Sequence, residues 1–345
     1  MQTESLHRYH ALNRRRVLLV GGMLAVALLA VVADLMTGPA GLPLAETLRA
    51  LTGWGEVARS AEVIVWQVRL PVAIMALLVG AALALAGAEM QTVLENPLAE
   101  PFTLGVSASA ALGAATAIVL GLGLPGLPAV WSVSANAFLF ALGALALLQL
   151  MGRLRGGGPE VLILCGIALN FTAGAFLSLL QFVASADALQ QLVFWTMGSL
   201  AAASWPGVTV LAVVLAATAP FSLKAAWQLT ALRLGEEQAR SFGVDVARLR
   251  RWSLLRVSLL AASAVSMVGV IGFVGLAGPH IARMLLGEDH RFFLPGSLLT
   301  GAVVMSLASL LSKSVVPGVL LPVGLVTSLI GLPIFFSLIL RRRGR

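Results

Sequence analysis

"LENPLAEPFTLGVS" runs from Leu94 to Ser107 between two long apolar stretches. It carries Glu95, Glu100, Asn96, Pro97 and Pro101 before small-residue, helix-like sequence resumes. Proline lacks a backbone donor and clashes with the preceding turn, so no helix runs through this segment. The pattern is apolar helix, polar elbow, apolar helix. The residues alone leave three uses for such an elbow: a surface loop, a ligand site or part of a gate.

The flanks decide the solvent. Of 345 residues, 59% are hydrophobic and 11% charged, with a mean hydropathy of +0.96. Soluble domains carry about 25% charged residues, so most of this chain faces lipid. One crossing needs about 20 apolar residues. Ten runs fit: residues 17–36, 71–94, 102–122, 130–151, 161–184, 206–223, 252–271, 276–286, 294–311 and 321–340. The eighth is too short to cross unaided, and a chain break inside the protein is expected over 273–279. The first run exceeds the roughly 7–15 apolar residues of a secretory leader, so it reads as a retained span. Residues 1–345 form a single integral membrane domain with no room for a separate soluble one. The lone Cys165 excludes a disulfide framework within the chain.

A net charge of +8 suggests nucleic acid until the charges are placed. Arg14, Arg15 and Arg16 precede the first apolar run, and Arg341, Arg342 and Arg343 follow the last. Ten spans put both termini on one side. If that side is the cytoplasm, it gathers 19 of the 23 Lys and Arg, leaving Arg49, Arg59, Arg69 and Lys313 outside. Basic residues concentrate on cytoplasmic borders. Tails 1–16 and 341–345 and loop 224–251 are therefore expected inside, in a cell inner membrane.

That loop, "KAAWQLTALRLGEEQARSFGVDVARLR" from Lys224, alternates apolar and charged residues and has glycines at Gly235 and Gly243. Two short amphipathic helices joined by a turn fit it. They would lie on the membrane surface or dock a soluble partner. Gly80 and Ala84, and Gly105, Ser109 and Gly113, follow the small-xxx-small spacing that lets membrane helices approach closely. Asn170, Gly174, Ser178 and Gln181 share one helix face, as a water-filled path or as interhelical hydrogen-bond contacts. Glu89 is a carboxylate within an apolar run; burying it is costly, so it sits at a cavity mouth or reaches the inner interface.

The sequence has no phosphate-binding G-x-x-x-x-G-K-[ST] loop, no metal-spaced cysteine pair and no G-x-S-x-G elbow. His280 and His290 are not read as metal ligands. The chain offers a path and a docking loop without a catalytic centre or a bound cofactor.

Six segments in order resemble one family. They are "VWQVRLP" (from Val65), "VGAALALAGAEMQTVLENPLAEPFTLGVS" (from Val79), "FWTMGSL" (from Phe194), "LGEEQARSFGV" (from Leu234), "GFVGLAGPHIARMLLGEDHRFFLPGS" (from Gly272) and "LPVGLVTSLIGLPIFF" (from Leu321). Together they resemble the permease subunits of ABC importers for iron-siderophores, haem and vitamin B12. The resemblance implies an all-α polytopic membrane protein with about ten transmembrane helices, the type II importer permease fold. It implies two copies of the chain, two ABC ATPase subunits that use ATP and Mg, and a periplasmic or lipid-anchored substrate-binding protein.

Residue by residue, the resemblance implies an inner gate at Asn96 and Leu98. It places Asn170, Ser178 and Gln181 beside the translocation path. ATPase coupling falls to Leu234, Gly235, Glu236, Glu237, Arg240 and Gly243. Arg69 and Lys313 would receive the binding protein, with Arg49 and Arg59 compensating where Val72, Ser309 and Leu320 depart from the family pattern. A ferric siderophore is the expected cargo, with haem or cobalamin as alternatives. An ion-coupled secondary transporter using Glu89 as its titrating carboxylate is a rival of a different class.

Overall fold

Long apolar runs satisfy their own backbone hydrogen bonds as helices, which a chain in lipid must do. The computed structural model describes residues 2–38, 41–154, 158–316 and 318–341. Among these, every regular element is helical. Helix α1 is Gln2–Met36. After short α2 (Leu44–Thr52) and a turn, α3 (Arg59–Val63) and a π-helical segment (Ile64–Arg69) lead without interruption into α4 (Leu70–Val93). After the elbow come α5 (Val106–Leu120), α6 (Ala129–Leu154), α7 (Pro159–Val183), α8 (Ala186–Thr196) and α9 (Trp205–Lys224). The loop from Lys224 folds as α10 (Ala226–Leu232) and α11 (Glu236–Ser241). Then α12 (Val246–Val268), α13 (Val274–Leu286), α14 (His290–Ser314) and α15 (Val323–Arg341) complete the bundle.

The ten expected runs fall on α1, α4–α7, α9 and α12–α15. Seven described helices are long and apolar enough to cross a membrane unaided, while α5 and the apolar part of α15 are shorter. The basic tail expected at 341–345 lies outside the described residues from 342 onward.

The break near the eighth run lies earlier than the sequence suggests. Helix α12 ends at Val268, and Gly269 and Phe273, at φ 76° and 68°, turn the chain into α13. Pro279 sits inside α13 rather than ending the segment. Its missing N–H leaves the carbonyl of Gly275 without its helical donor. Gln91 of α4 takes that place, donating Nε2–H to Gly275 O at 3.3 Å. A neighbouring helix thus makes the proline tolerable.

Helix α4 is the spine. The most apolar part of the segment from Arg59 to Val93 is 78% buried, against 17% for α1 and for α7, which lie at the periphery. Gly80 lets α14 approach this spine: a methyl there would collide with the carbonyl of Gly301. Burial on both sides of that crossing comes from backbone contact, the use expected of small residues in lipid.

The α10–α11 hairpin, the elbow and the turn between α13 and α14 share one end of the bundle. The start of α4, the end of α1 and the end of α14 share the other.

Candidate functional site: the elbow, the hairpin and the helices between them

The elbow is tightly built. Leu94 closes α4, Glu95 adopts φ 49°, and Asn96 N–H returns to Gln91 O at 3.1 Å. The side chain of Asn96 then accepts the Leu98 N–H at 3.0 Å, an Asx turn that satisfies the donor beyond Pro97. A non-glycine residue at positive φ costs about 1–3 kcal/mol and persists only where its surroundings hold it. Here both flanks do so.

Glu100, next along, is buried. Its Oε1 accepts the Phe273 N–H at 3.3 Å, tying the elbow to the start of α13. Burial pushes its carboxyl up to about 7 against the opposing pull of that hydrogen bond.

The hairpin turns at Gly235, whose φ of 110° suits glycine alone, and leaves at Gly243, φ 82°. Ala231 and Ala239 are buried against the bundle, while Leu234 (60% exposed) and Phe242 (55% exposed) point away from it. Glu236 pairs with Arg240 one turn on and with Arg250 of α12; Glu237 is exposed. The structure brings this hairpin to the elbow. A cleft of about 970 Å³ is lined by Leu94, Glu95 and Asn96 of the elbow, Gly235, Glu236, Glu237 and Gln238 of the hairpin, and the start of α7 from Gly158 to Ile163. Leu98 is half-buried beyond the Asx turn.

Helix α7 passes the same elbow. Gly105, at φ 78°, lies against its backbone: a Cβ there would stand 2.8 Å from Asn170 N. Asn170 and Ser178 are exposed and Gln181 half-buried, while Leu162, Gly166 and Ala173, on the adjoining face, are buried in the bundle.

Residues 24–341 match the FecCD transport family. The chain belongs to that family. It is 39% identical over 293 residues to the hemin transport system permease protein of Yersinia pestis, covering 85% of this chain and 88% of the relative. It is 36% identical over 320 residues to the vitamin B12 import system permease protein of Salmonella typhi, covering 92% and 94%. A solved inward-facing structure of a metal-chelate type ABC transporter superposes with a TM-score of 0.82 at 31% identity, covering 94% of this chain and 99% of that one. This FecCD chain is a multi-span permease subunit of the ABC-importer class.

Two of the expected outer-face residues of the FecCD chain make contacts within the chain. Arg69 is 4% exposed, and its Nη1 donates to Leu35 O, Met36 O and Thr47 Oγ1 at 3.3–3.4 Å. Lys313 pairs with Asp34 of α1 at 2.8 Å, and Ser309 donates to the same carboxylate at 3.1 Å. Lys313 neutralises Asp34, while Arg69 donates to uncharged oxygens of α1 and α2, and both also line a pocket at this end of the bundle. Arg49 and Arg59 are exposed and remain available.

Glu89 also differs from expectation. Instead of meeting a cavity it is enclosed between α4 and α12, where Arg256 Nε bridges both its oxygens at 3.0 and 3.1 Å and Nη2 bonds Oε2. Of the histidines, His280 is half-buried in α13, and His290 is buried with both ring nitrogens beside threonine hydroxyls.

Sequence reasoning missed Asp34, Glu100, Arg250 and Arg256. Asp34 and Arg256 had a usable signal: a charge within an apolar run demands a partner. Nothing local identified which one.

Proposed function

We propose that two copies of this FecCD permease form the translocation path of an ATP-driven importer whose cargo is a ferric siderophore. The observation that carries the reading is the shared cleft between Asn96 and Gly235–Gln238. Two ABC ATPase subunits dock on α10 and α11, using Leu234 and Phe242 as apolar anchors and Glu236, Glu237 and Arg240 as polar contacts around Gly235 and Gly243. ATP and Mg act in those partners. Asn96 and Leu98 form the inner gate, which the hairpin is placed to move. A binding protein delivers cargo at the opposite end, where Arg49 and Arg59 offer charge.

The hairpin end faces the cytoplasm, since that orientation leaves only four of the 23 basic residues outside. Asn170, Ser178 and Gln181 line the path, which must interact weakly with cargo for cargo to leave. The likeness to a metal-chelate transporter supports a ferric chelate. The hemin and vitamin B12 relatives keep haem and cobalamin as the second reading.

The test is co-purification with an ABC ATPase and a binding protein, followed by ligand screening of the binding protein. Selective binding of ferric siderophores supports the reading. Selective binding of haem or cobalamin replaces the cargo while keeping the importer.

A further inference from the structure

The turn between α13 and α14 touches both the α10–α11 hairpin and the last turn of α4. His290 opens α14 there, 1% exposed. Its Nε2 lies 2.8 Å from Thr92 Oγ1 of α4. Thr92 gives its own proton to Ala88 O at 2.9 Å, so it accepts the Nε2–H. On its other side His290 donates its backbone N–H to Thr230 Oγ1 of α10 at 3.0 Å, with Nδ1 3.3 Å from the same hydroxyl.

Two further links run in parallel. Arg233, just past α10, pairs with Glu288 of the turn, which also pairs with Arg283 of α13 at 3.5 Å. Arg283 donates to Gln91 Oε1 at 3.0 Å. On the far side Glu236 of α11 pairs with Arg250, whose Nε donates to Val93 O at 3.0 Å. The three links end on Gln91, Thr92 and Val93. These consecutive residues are the last of α4, immediately before the elbow.

We infer that these links make the hairpin and the last turn of α4 a single mechanical body, with His290 as its central positioning residue. The inference rests on the importer reading and deepens it. A displacement imposed on α10 and α11 reaches Asn96 through Gln91, Thr92 and Val93. The covalent route from the hairpin to the elbow is far longer, running back through α9, α8, α7, α6 and α5. The buried Thr92–His290 contact is short, and the His290 backbone N–H to Thr230 holds the other side, so the pair transmits position rather than merely filling space.

The test uses the full complex of permease, ATPase and binding protein in liposomes, in a Cys165→Ser background. Spin labels at exposed Glu95 and Ser241, within one chain, report the distance from elbow to hairpin. With the links intact, that distance distribution should be the same with and without nucleotide. Thr92→Val and His290→Ala should broaden it and raise the ATP consumed per cargo molecule about 2- to 30-fold, the range for mutations along a coupling network. His290→Gln, which keeps a side-chain N–H for Thr92, should restore much of the loss. A nucleotide-dependent shift larger than the width of the distribution in the unmutated links would overturn the single-body inference. So would unchanged stoichiometry in Thr92→Val and His290→Ala. Failure of the unmutated permease to bind an ATPase would instead overturn the importer reading.

Discussion

Asp34 Oδ1 and Lys313 Nζ stand 2.8 Å apart and lock the end of α1 against α14. Asp34 is fully buried and the Lys313 side chain is 7% exposed. Removing one member of such a pair leaves an uncompensated buried charge and costs about 3–5 kcal/mol, whereas replacing both by apolar groups is often neutral. Lys313→Met should therefore lower the thermal midpoint in detergent, and Asp34→Leu combined with Lys313→Met should recover most of the loss. Equal losses in the single and double variants would contradict a pair that matters through its charges.

Glu89 and Arg256 obey the same logic in the seam between α4 and α12. Arg256→Leu should be destabilising on the same scale of about 3–5 kcal/mol. Because Glu89 is a held counter-ion, uptake by the assembled complex should survive a protonophore and stop with an ATPase inhibitor. Collapse of uptake with the protonophore alone would favour ion coupling.

What could be read from the chain was what is local. Pro97, Pro101 and Asn96 announce the elbow, and Gly235 and Gly243 announce the hairpin, because proline and glycine act on their own backbone. Gly80 likewise announced a close helix crossing, though not its partner Gly301. Partnerships across the chain were illegible. Arg256 meets Glu89 from 167 residues away and Lys313 meets Asp34 from 279 residues away, so neither pairing could be read from its own segment. Pro279 misled for a related reason: the donor that excuses it, Gln91, belongs to another helix.

Asn96 holds the Leu98 N–H, and a lost hydrogen bond of this kind is worth about 0.5–1.5 kcal/mol. Asn96→Ala and Leu98→Ala should fold yet close poorly, seen as passive cargo leak or as more ATP spent per cargo molecule in liposomes. Unchanged leak and unchanged stoichiometry in both variants would remove the gate assignment.

Glu100 gives the elbow a pH dependence. Its carboxyl is raised in the folded chain from the ordinary 4.5 to about 7, so the folded state binds the extra proton between those values. The neutral side chain carries no burial penalty below about pH 4.5, and stability falls as pH rises through about 7, by a total on the order of 3 kcal/mol. Glu100→Gln should flatten that part of the thermal-midpoint profile between pH 5 and 8. An unchanged slope would show that another group sets it.

In the proposed importer, this chain supplies a passage and takes its energy from a separate ATPase gripping the α10–α11 hairpin. Uptake by sealed proteoliposomes tests it most directly, measured for the permease alone and for the permease with its ATPase and cargo-loaded binding protein. The permease alone should show no nucleotide-dependent uptake, and the full set should show ATP-dependent uptake. ATP-driven accumulation by the isolated permease would contradict it.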